Sequence, residues 1–128
     1  MDAGRLGFAP DTVIQELGWD EDVDDEFRKA IESHCGNELI DGDTSEAVDG
    51  VILWWRDGDG DLVDALLDSL HDLAEGGSVW LLTPKVGRPG YVPGADIVEA
   101  APIAGLSTTT TSAATPEWSA TKLSTHKR

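Results

Sequence analysis

Two short runs constrain this chain more than anything else in it. Val48 to Trp55 (VDGVILWW) and Ser78 to Thr83 (SVWLLT) are rich in β-branched, leucine and aromatic residues and are bounded by Asp, Gly or Pro. Runs of that length and composition read as strands with both faces buried. Between them Asp57 to Gly60 turns the chain and Asp61 stands where a helix needs its N-cap. Leu62, Leu66, Leu70 and Leu73, with Val63 and Leu67, then form a wide helical stripe that Gly76-Gly77 is expected to end. Strand, helix, strand requires a crossover connection, and crossovers favour a parallel sheet covered on both faces.

The flanking segments extend the same alternation. Thr12 to Leu17, ended by Gly18, suits a first buried strand. Asp20, Glu21 and Asp22 then precede Val23, Phe27, Ala30, Ile31 and His34 at helical spacing, which predicts a helix with acids at its N-terminus and Gly36 as its stop. Glu38 to Ile40 is a short second strand. Lys85 to Gly94 is a glycine- and proline-rich loop, and Asp96 to Ala104 is a helix that Pro102 kinks or shortens before Gly105. Leu106 to Ala113 and Trp118 to Ser124, parted by Pro116-Glu117, read as a hairpin, with a disordered linker through Thr108 to Thr111 as the alternative. The fold class expected is a small, mostly parallel, three-layer α/β sheet with a C-terminal antiparallel hairpin, in one domain spanning 1–128 with flexible ends at 1–10 and 125–128.

Length and charge bound what such a domain can do. The 128 residues, 40% of them hydrophobic, suffice for one contiguous core and not for two. Cys35 is the one cysteine and cannot close an internal disulfide, and no apolar run is long enough to span a bilayer, so a soluble, cytoplasmic protein is expected. The net charge of −16 is uneven: residues 1–75 hold 22 Asp or Glu against 4 Lys or Arg, and residues 76–128 hold 3 against 5. Nucleic-acid affinity comes largely from bases that displace counterions, so this surface argues against direct DNA or RNA binding, and the tail His126-Lys127-Arg128 is too short to reverse that.

Four segments carry a family resemblance: ELGWDED (Glu16 to Asp22), ILWWRDGDGDLVDAL (Ile52 to Leu66), WLLTPKVGRPG (Trp80 to Gly90) and EAAPIAGL (Glu99 to Leu106). They resemble a bacterial family catalogued as domain of unknown function 3052, over roughly residues 5–124. The element order, with its terminal hairpin, is also similar to a truncated class I methyltransferase, a Rossmann-like fold. Working enzymes of that fold place glycines at alternate positions after the first strand, so that the backbone approaches S-adenosylmethionine without a Cβ in the way. The corresponding stretch here is Gly18-Trp19-Asp20-Glu21-Asp22, in which only the first glycine survives. The resemblance therefore implies the fold and speaks against the cofactor: none is expected.

Candidate site residues follow from the topology, because loops after parallel strands emerge on one edge and ligands bind there. Three loops should meet: Trp19 to Asp22, Arg56 to Asp61 and Pro84 to Arg88. They offer Trp19, Asp20, Asp22, Asp57 and Asp59, with Lys85 and Arg88 as the bases, and Asp41 closes the second strand where an acid could hold ribose hydroxyls. Asp57, Asp59 and Asp61 (DGDGD) have the alternation of a calcium loop, but Leu62 stands where that loop needs glycine and Asp68 where it needs a bidentate Glu. They are left as candidates for loosely held Mg²⁺ or Ca²⁺, beside the plainer reading of a solvated turn. No triad, zinc pattern or P-loop is present around His34, His71 or Cys35. Of the tryptophans, Trp54 and Trp55 must face opposite sides of their strand, Trp80 and Trp118 belong to the core, and Trp19 is the one expected at the surface. The function expected is a non-catalytic, methyltransferase-like module binding a basic partner protein; the rival is a divergent S-adenosylmethionine-dependent enzyme or a sensor of nucleotide-like small molecules.

Overall fold

The computed structural model describes residues 8–43 and 46–125. Most of the two termini expected to be flexible lie outside these residues, as does the tail from His126 to Arg128. In chain order the elements are β1 (Ile14–Leu17), α1 (Asp25–Cys35), β2 (Val48–Trp54), α2 (Leu62–Ser69), β3 (Leu73–Pro84), α3 (Gly94–Ile103), β4 (Leu106–Ala113) and β5 (Trp118–Thr125). They build one five-stranded sheet in the order β1-β2-β3-β5-β4. β1, β2 and β3 run parallel, whereas β5 pairs antiparallel with both β3 and β4. The sheet is thus mixed and not mostly parallel. The hairpin strands, 8 residues each, take part in two of the four strand pairings, because β5 lies directly against β3 from Ser78 to Pro84.

Side-chain alternation along β2 and β3 sorts the core into two layers. Ile52, Trp54, Trp80 and Leu82 pack under α1 through Phe27, Ile31 and Cys35, joined by Trp118 and Phe8. Val51, Leu53, Val79 and Leu81 pack on the other face under Leu66 of α2 and Ile97 and Ala101 of α3. Trp54 and Trp55 do part to opposite faces, Trp80 and Trp118 are buried, and Trp19 is 55% exposed. Trp54 is held edge-on by Trp118 at 4.8 Å and by Phe27 at 6.2 Å between ring centroids. Among the described residues no helix is long and apolar enough to cross a membrane.

Local chemistry explains where the elements end. Asp24 caps α1, accepting from the Phe27 N–H, and Gly36 ends it in the left-handed conformation at φ 77°. The first-turn acids are Asp25 and Glu26. Asp20, Glu21 and Asp22, expected inside that turn, form a separate loop before it, because Asp24 takes the capping role two residues later. α2 stops at Ser69 and not at Gly76-Gly77. The glycine pair lies inside β3, which starts at Leu73 opposite Val48 and then shifts register before Ser78 meets Gly50. Gly76, at φ 84°, makes that bulge, so a signal read as a helix stop is a strand irregularity. The expected second strand, Glu38 to Ile40, is reduced to one bridge between Ile40 and Gln15. The hairpin forms as expected, and Thr108 to Thr111 are strand, with a bulge between Thr108 and Thr110.

Candidate functional site

The carboxyl ends of β1 and β2 meet at Gly18. This residue sits at φ 75°, and a Cβ on it would lie 2.1 Å from the Trp54 carbonyl oxygen, so the surviving glycine of the loop is required by the packing of one strand end on the next. Beneath it Glu16 is 8% exposed and accepts a fork from Arg28 of α1, with Nε at 2.6 Å and Nη2 at 2.7 Å. The Trp54 indole Nε1 donates to the same carboxylate at 2.9 Å. Glu16 therefore ties β1, α1 and β2 together, and the Arg28 guanidinium is held above its ordinary pKa mainly by its hydrogen bonds to Glu16.

Arg56, the first residue after the buried β2 run, closes the edge above. Its Nε and Nη2 donate to Asp22 at 2.9 and 2.5 Å, and its Nη1 to the carbonyl oxygen of Gly18 at 2.7 Å and to Asp59 at 3.4 Å. The guanidinium also lies over Trp118, 5.3 Å from the ring centroid. Burial pushes the Arg56 pKa down, but the hydrogen bonds and charge of Asp22 outweigh it and the net direction is up. Asp22 is correspondingly lowered, first by its hydrogen bonds to Arg56. The side chain of Arg56 is 13% exposed, so little of it is left to meet a ligand. On the α2 side of this edge remains an open crevice of about 410 Å³, walled by Gly18, Trp19, Asp20, Trp55, Arg56 and Asp59.

The structure brings together some of the residues expected here and separates others. Trp19, Asp20 and Asp59 line the crevice and Asp22 holds Arg56 beside it. Asp20 accepts from the Glu21 N–H and shapes its own loop. Asp57 is exposed and its N–H donates to the Gly90 carbonyl, which fastens the second loop to the third. Asp61 caps α2 by accepting from Val63 N–H at 2.9 Å. Asp59 is engaged by Arg56 and Asp61 by a helix end, and among the described residues no three His, Cys, Asp or Glu side chains converge as a metal site. Asp41 lies beside the Ile40 bridge, outside the crevice, its carboxylate accepting from Asp43 N–H. Arg88 pairs with Glu117 of the hairpin turn at 2.9 Å, and Lys85 lines a different cavity on the α3 side. His34 contacts the Phe8 carbonyl, and Cys35 is buried.

Sequence reasoning missed Arg56, Glu16 and Arg28. Arg56 did carry a signal: it is one of four bases in the first 75 residues and directly follows the most apolar strand. A cation in that place has acids waiting for it on the first two loops of the edge, Asp22 and Asp59. Glu16 carried a weaker one, a charged residue next to the apolar Ile14 and Leu17 of β1.

The family described as Protein of unknown function (DUF3052) matches residues 3–127. The chain belongs to that family. Relatives in Mycobacterium tuberculosis and Mycobacterium bovis, both described as uncharacterized proteins, are 57% identical over 121 residues, which is 94% of this chain and 76% of theirs. Among solved structures the DUF3052 chain is similar to the CcbJ methyltransferase of Streptomyces caelestis, with TM-score 0.61, 11% identity, and 98% and 94% of the two chains covered. A TehB-like SAM-dependent methyltransferase of Corynebacterium glutamicum follows at 0.58, with 13% identity and coverage of 98% and 88%. The pyocyanin biosynthetic protein PhzM gives 0.63 with 13% identity, and there 98% of this chain spans 53% of that one. At such identities the likeness shows the fold alone, and that fold is methyltransferase-like.

Proposed function

We propose that this DUF3052 chain is a non-catalytic, methyltransferase-like module that docks on a basic surface of a partner protein. Arg56 is the observation that carries the reading. In an α/β sheet of this kind the ligand sits outside the carboxyl ends of the strands, and here that place is held by a guanidinium bound to Asp22, Asp59 and the Gly18 carbonyl. The alternate glycine positions of the loop are Asp20 and Asp22, whose carboxylates add bulk and repel an anionic or carboxylate ligand. Around this closed edge Asp20, Glu21, Asp57 and Asp61 are exposed, and exposed Trp19 stands among them as an aromatic anchor. Complementary charge would steer such a partner and make the association salt-dependent.

The specific test uses the intact chain with immobilised cell extract proteins, identifying what is retained at low salt and released at high salt, and then the purified partner with Asp20→Asn, Glu21→Gln and Trp19→Ala variants. A partner whose affinity falls in all three variants is expected. Retention that ignores both salt and these substitutions overturns the reading. The crevice of about 410 Å³ beside Trp19 favours one second reading, a divergent S-adenosylmethionine-dependent enzyme or a sensor of nucleotide-like molecules. Titration of S-adenosylmethionine and S-adenosylhomocysteine into labelled protein separates the two: saturable amide shifts at Gly18, Trp19 and Asp57 support the second reading, and their absence at millimolar ligand removes it.

A further inference from the structure

A second cavity, of about 470 Å³, opens on the α3 side of the sheet where β3 ends and the loop to α3 begins. Its floor is made of hydroxyls. Thr83 of β3 pairs with Ser119 of β5, and Thr121 of β5 with Thr111 of β4, so the antiparallel register sets four Ser and Thr side chains on one face. That face continues into Leu81 and Leu123 of the apolar core. Strand alternation would be served as well by Val at these positions, yet Thr83 and Thr121 are both 3% exposed. The Thr121 hydroxyl meets that of Thr111 at 3.3 Å. The Thr83 hydroxyl has no hydrogen-bond partner among the described residues and is not sealed in the protein, which leaves it open to the cavity it lines. That hydroxyl is therefore free to donate to, or accept from, whatever occupies the cavity.

Two further features give the cavity a sign. Among the described residues Lys85 is the only charged side chain lining it. No acid among the described residues pairs with Lys85, whereas Arg28, Arg56 and Arg88 each hold one. In a chain with 25 acidic residues an uncommitted base on a hydroxyl-floored cavity is notable for its chemistry: the site favours an anion. α3 begins at the wall with Gly94, and its N-cap Pro93 gives no side-chain cap; the Pro93 carbonyl takes the Asp96 N–H, which leaves the Gly94 and Ala95 N–H groups at the positive end of the helix. Asp96 of that turn is exposed and does not line the cavity. The remaining wall is apolar and aromatic: Val92 is buried, while Tyr91 and Val86 stand at 38% and 73% exposure over it.

We propose that this cavity binds a small organic anion, its carboxylate or phosphate held by Lys85, Thr83, Ser119 and the start of α3, and its apolar or aromatic body against Val86, Tyr91 and Val92. The site is separate from the Arg56 edge, so it stands or falls independently of the partner reading above. Its size suits a ligand at the lower end of the usual small-molecule range.

The test is a titration of benzoate and of phenyl phosphate, with benzyl alcohol as the neutral counterpart, into the labelled full chain at low salt. Saturable shifts are expected at the amides of Lys85, Gly94, Ala95 and Ser119, with a dissociation constant of about 1 mM or tighter for at least one anion. The tighter of the two anions identifies the headgroup. Lys85→Met should weaken that anion about tenfold and Thr83→Val about fivefold, with the amide spectrum otherwise native. Absence of saturation by either anion up to about 10 mM overturns the proposal. Equal binding of benzyl alcohol, or anion binding that both variants leave unchanged, overturns it as well.

Discussion

Gly18→Ala separates a structural glycine from a cofactor glycine. The backbone there has φ 75°, and the added Cβ would meet the Trp54 carbonyl oxygen at 2.1 Å. The left-handed conformation alone costs a non-glycine residue about 1–2 kcal/mol. The clash is with backbone and not with the end of a flexible side chain, so β1 and β2 must part where Leu17 pairs with Leu53. That movement also loosens the Arg56 Nη1 bonds to the carbonyl oxygens of Gly18 at 2.7 Å and Trp54 at 3.3 Å, worth together about 1–3 kcal/mol when charge-assisted. A total loss of about 2–5 kcal/mol is expected, a large share of the about 5–15 kcal/mol that holds a domain. Gly87→Ala is the control, since it has φ 87° with nothing within 4 Å of its Cβ and carries the conformational strain alone. Urea unfolding followed by tryptophan fluorescence measures both. A Gly18→Ala loss within about 0.5 kcal/mol of the Gly87→Ala loss would refute the packing argument and return the glycine to ligand binding.

Two more outcomes follow from the same edge. Glu16→Gln leaves the Arg28 guanidinium, whose side chain is 27% exposed, without its fork partner; about 2–4 kcal/mol should be lost in urea unfolding, and most of that loss should vanish in the double variant with Arg28→Met, which a double-mutant cycle reads directly. The Asp22 carboxyl is lowered in the folded state, so its contribution is complete above its ordinary value of 3.8 and fades as pH falls through the lower folded value. At 45% exposure the ion pair is screened and contributes less than about 1 kcal/mol. The stability difference between the native protein and Asp22→Asn should therefore be steady near neutrality and shrink as pH falls below 3.8 through the lower folded value; a difference that grows on acidification would contradict the assignment.

How far the sequence discloses this molecule depends on whether a signal is local. Val48 to Trp55 and Ser78 to Thr83 disclose their strands because burial on both faces is written into their composition, and Asp61 and Gly36 disclose helix ends because capping acts within one turn. Gly76-Gly77 misleads because a positive-φ glycine serves a helix stop and a strand bulge equally, and only the pairing of Leu73 with Val48 decides between them. The mixed character of the sheet is hidden for a similar reason: a hairpin can be read from its turn, but where its strands dock cannot. The site divides the same way. Trp19, Asp20 and Asp59 are found from loop position alone, whereas the roles of Glu16, Arg28 and Arg56 exist only across distances of 12 to 38 residues in sequence.

The acidic exterior and the closed edge have a common origin in how the chain uses its few arginines. Arg28 joins α1 to β1, Arg56 joins the loops after β1 and β2, and Arg88 joins the loop after β3 to the hairpin turn. Each is a tie between elements, and each consumes a carboxylate in doing so. With 9 bases against 25 acids, bases committed to such ties cannot also neutralise the surface. Glu21, Asp57 and Asp61 are left exposed around the edge that the ties hold together. Glycine at Asp20 and Asp22 would do more than clear a loop: it would take from Arg56 two of its hydrogen bonds, and Arg56 also binds the Gly18 carbonyl and lies over the Trp118 ring. The acids that stand at the loop's alternate glycine positions are thus tied, through Asp22 and Arg56, into the packing of the strand ends.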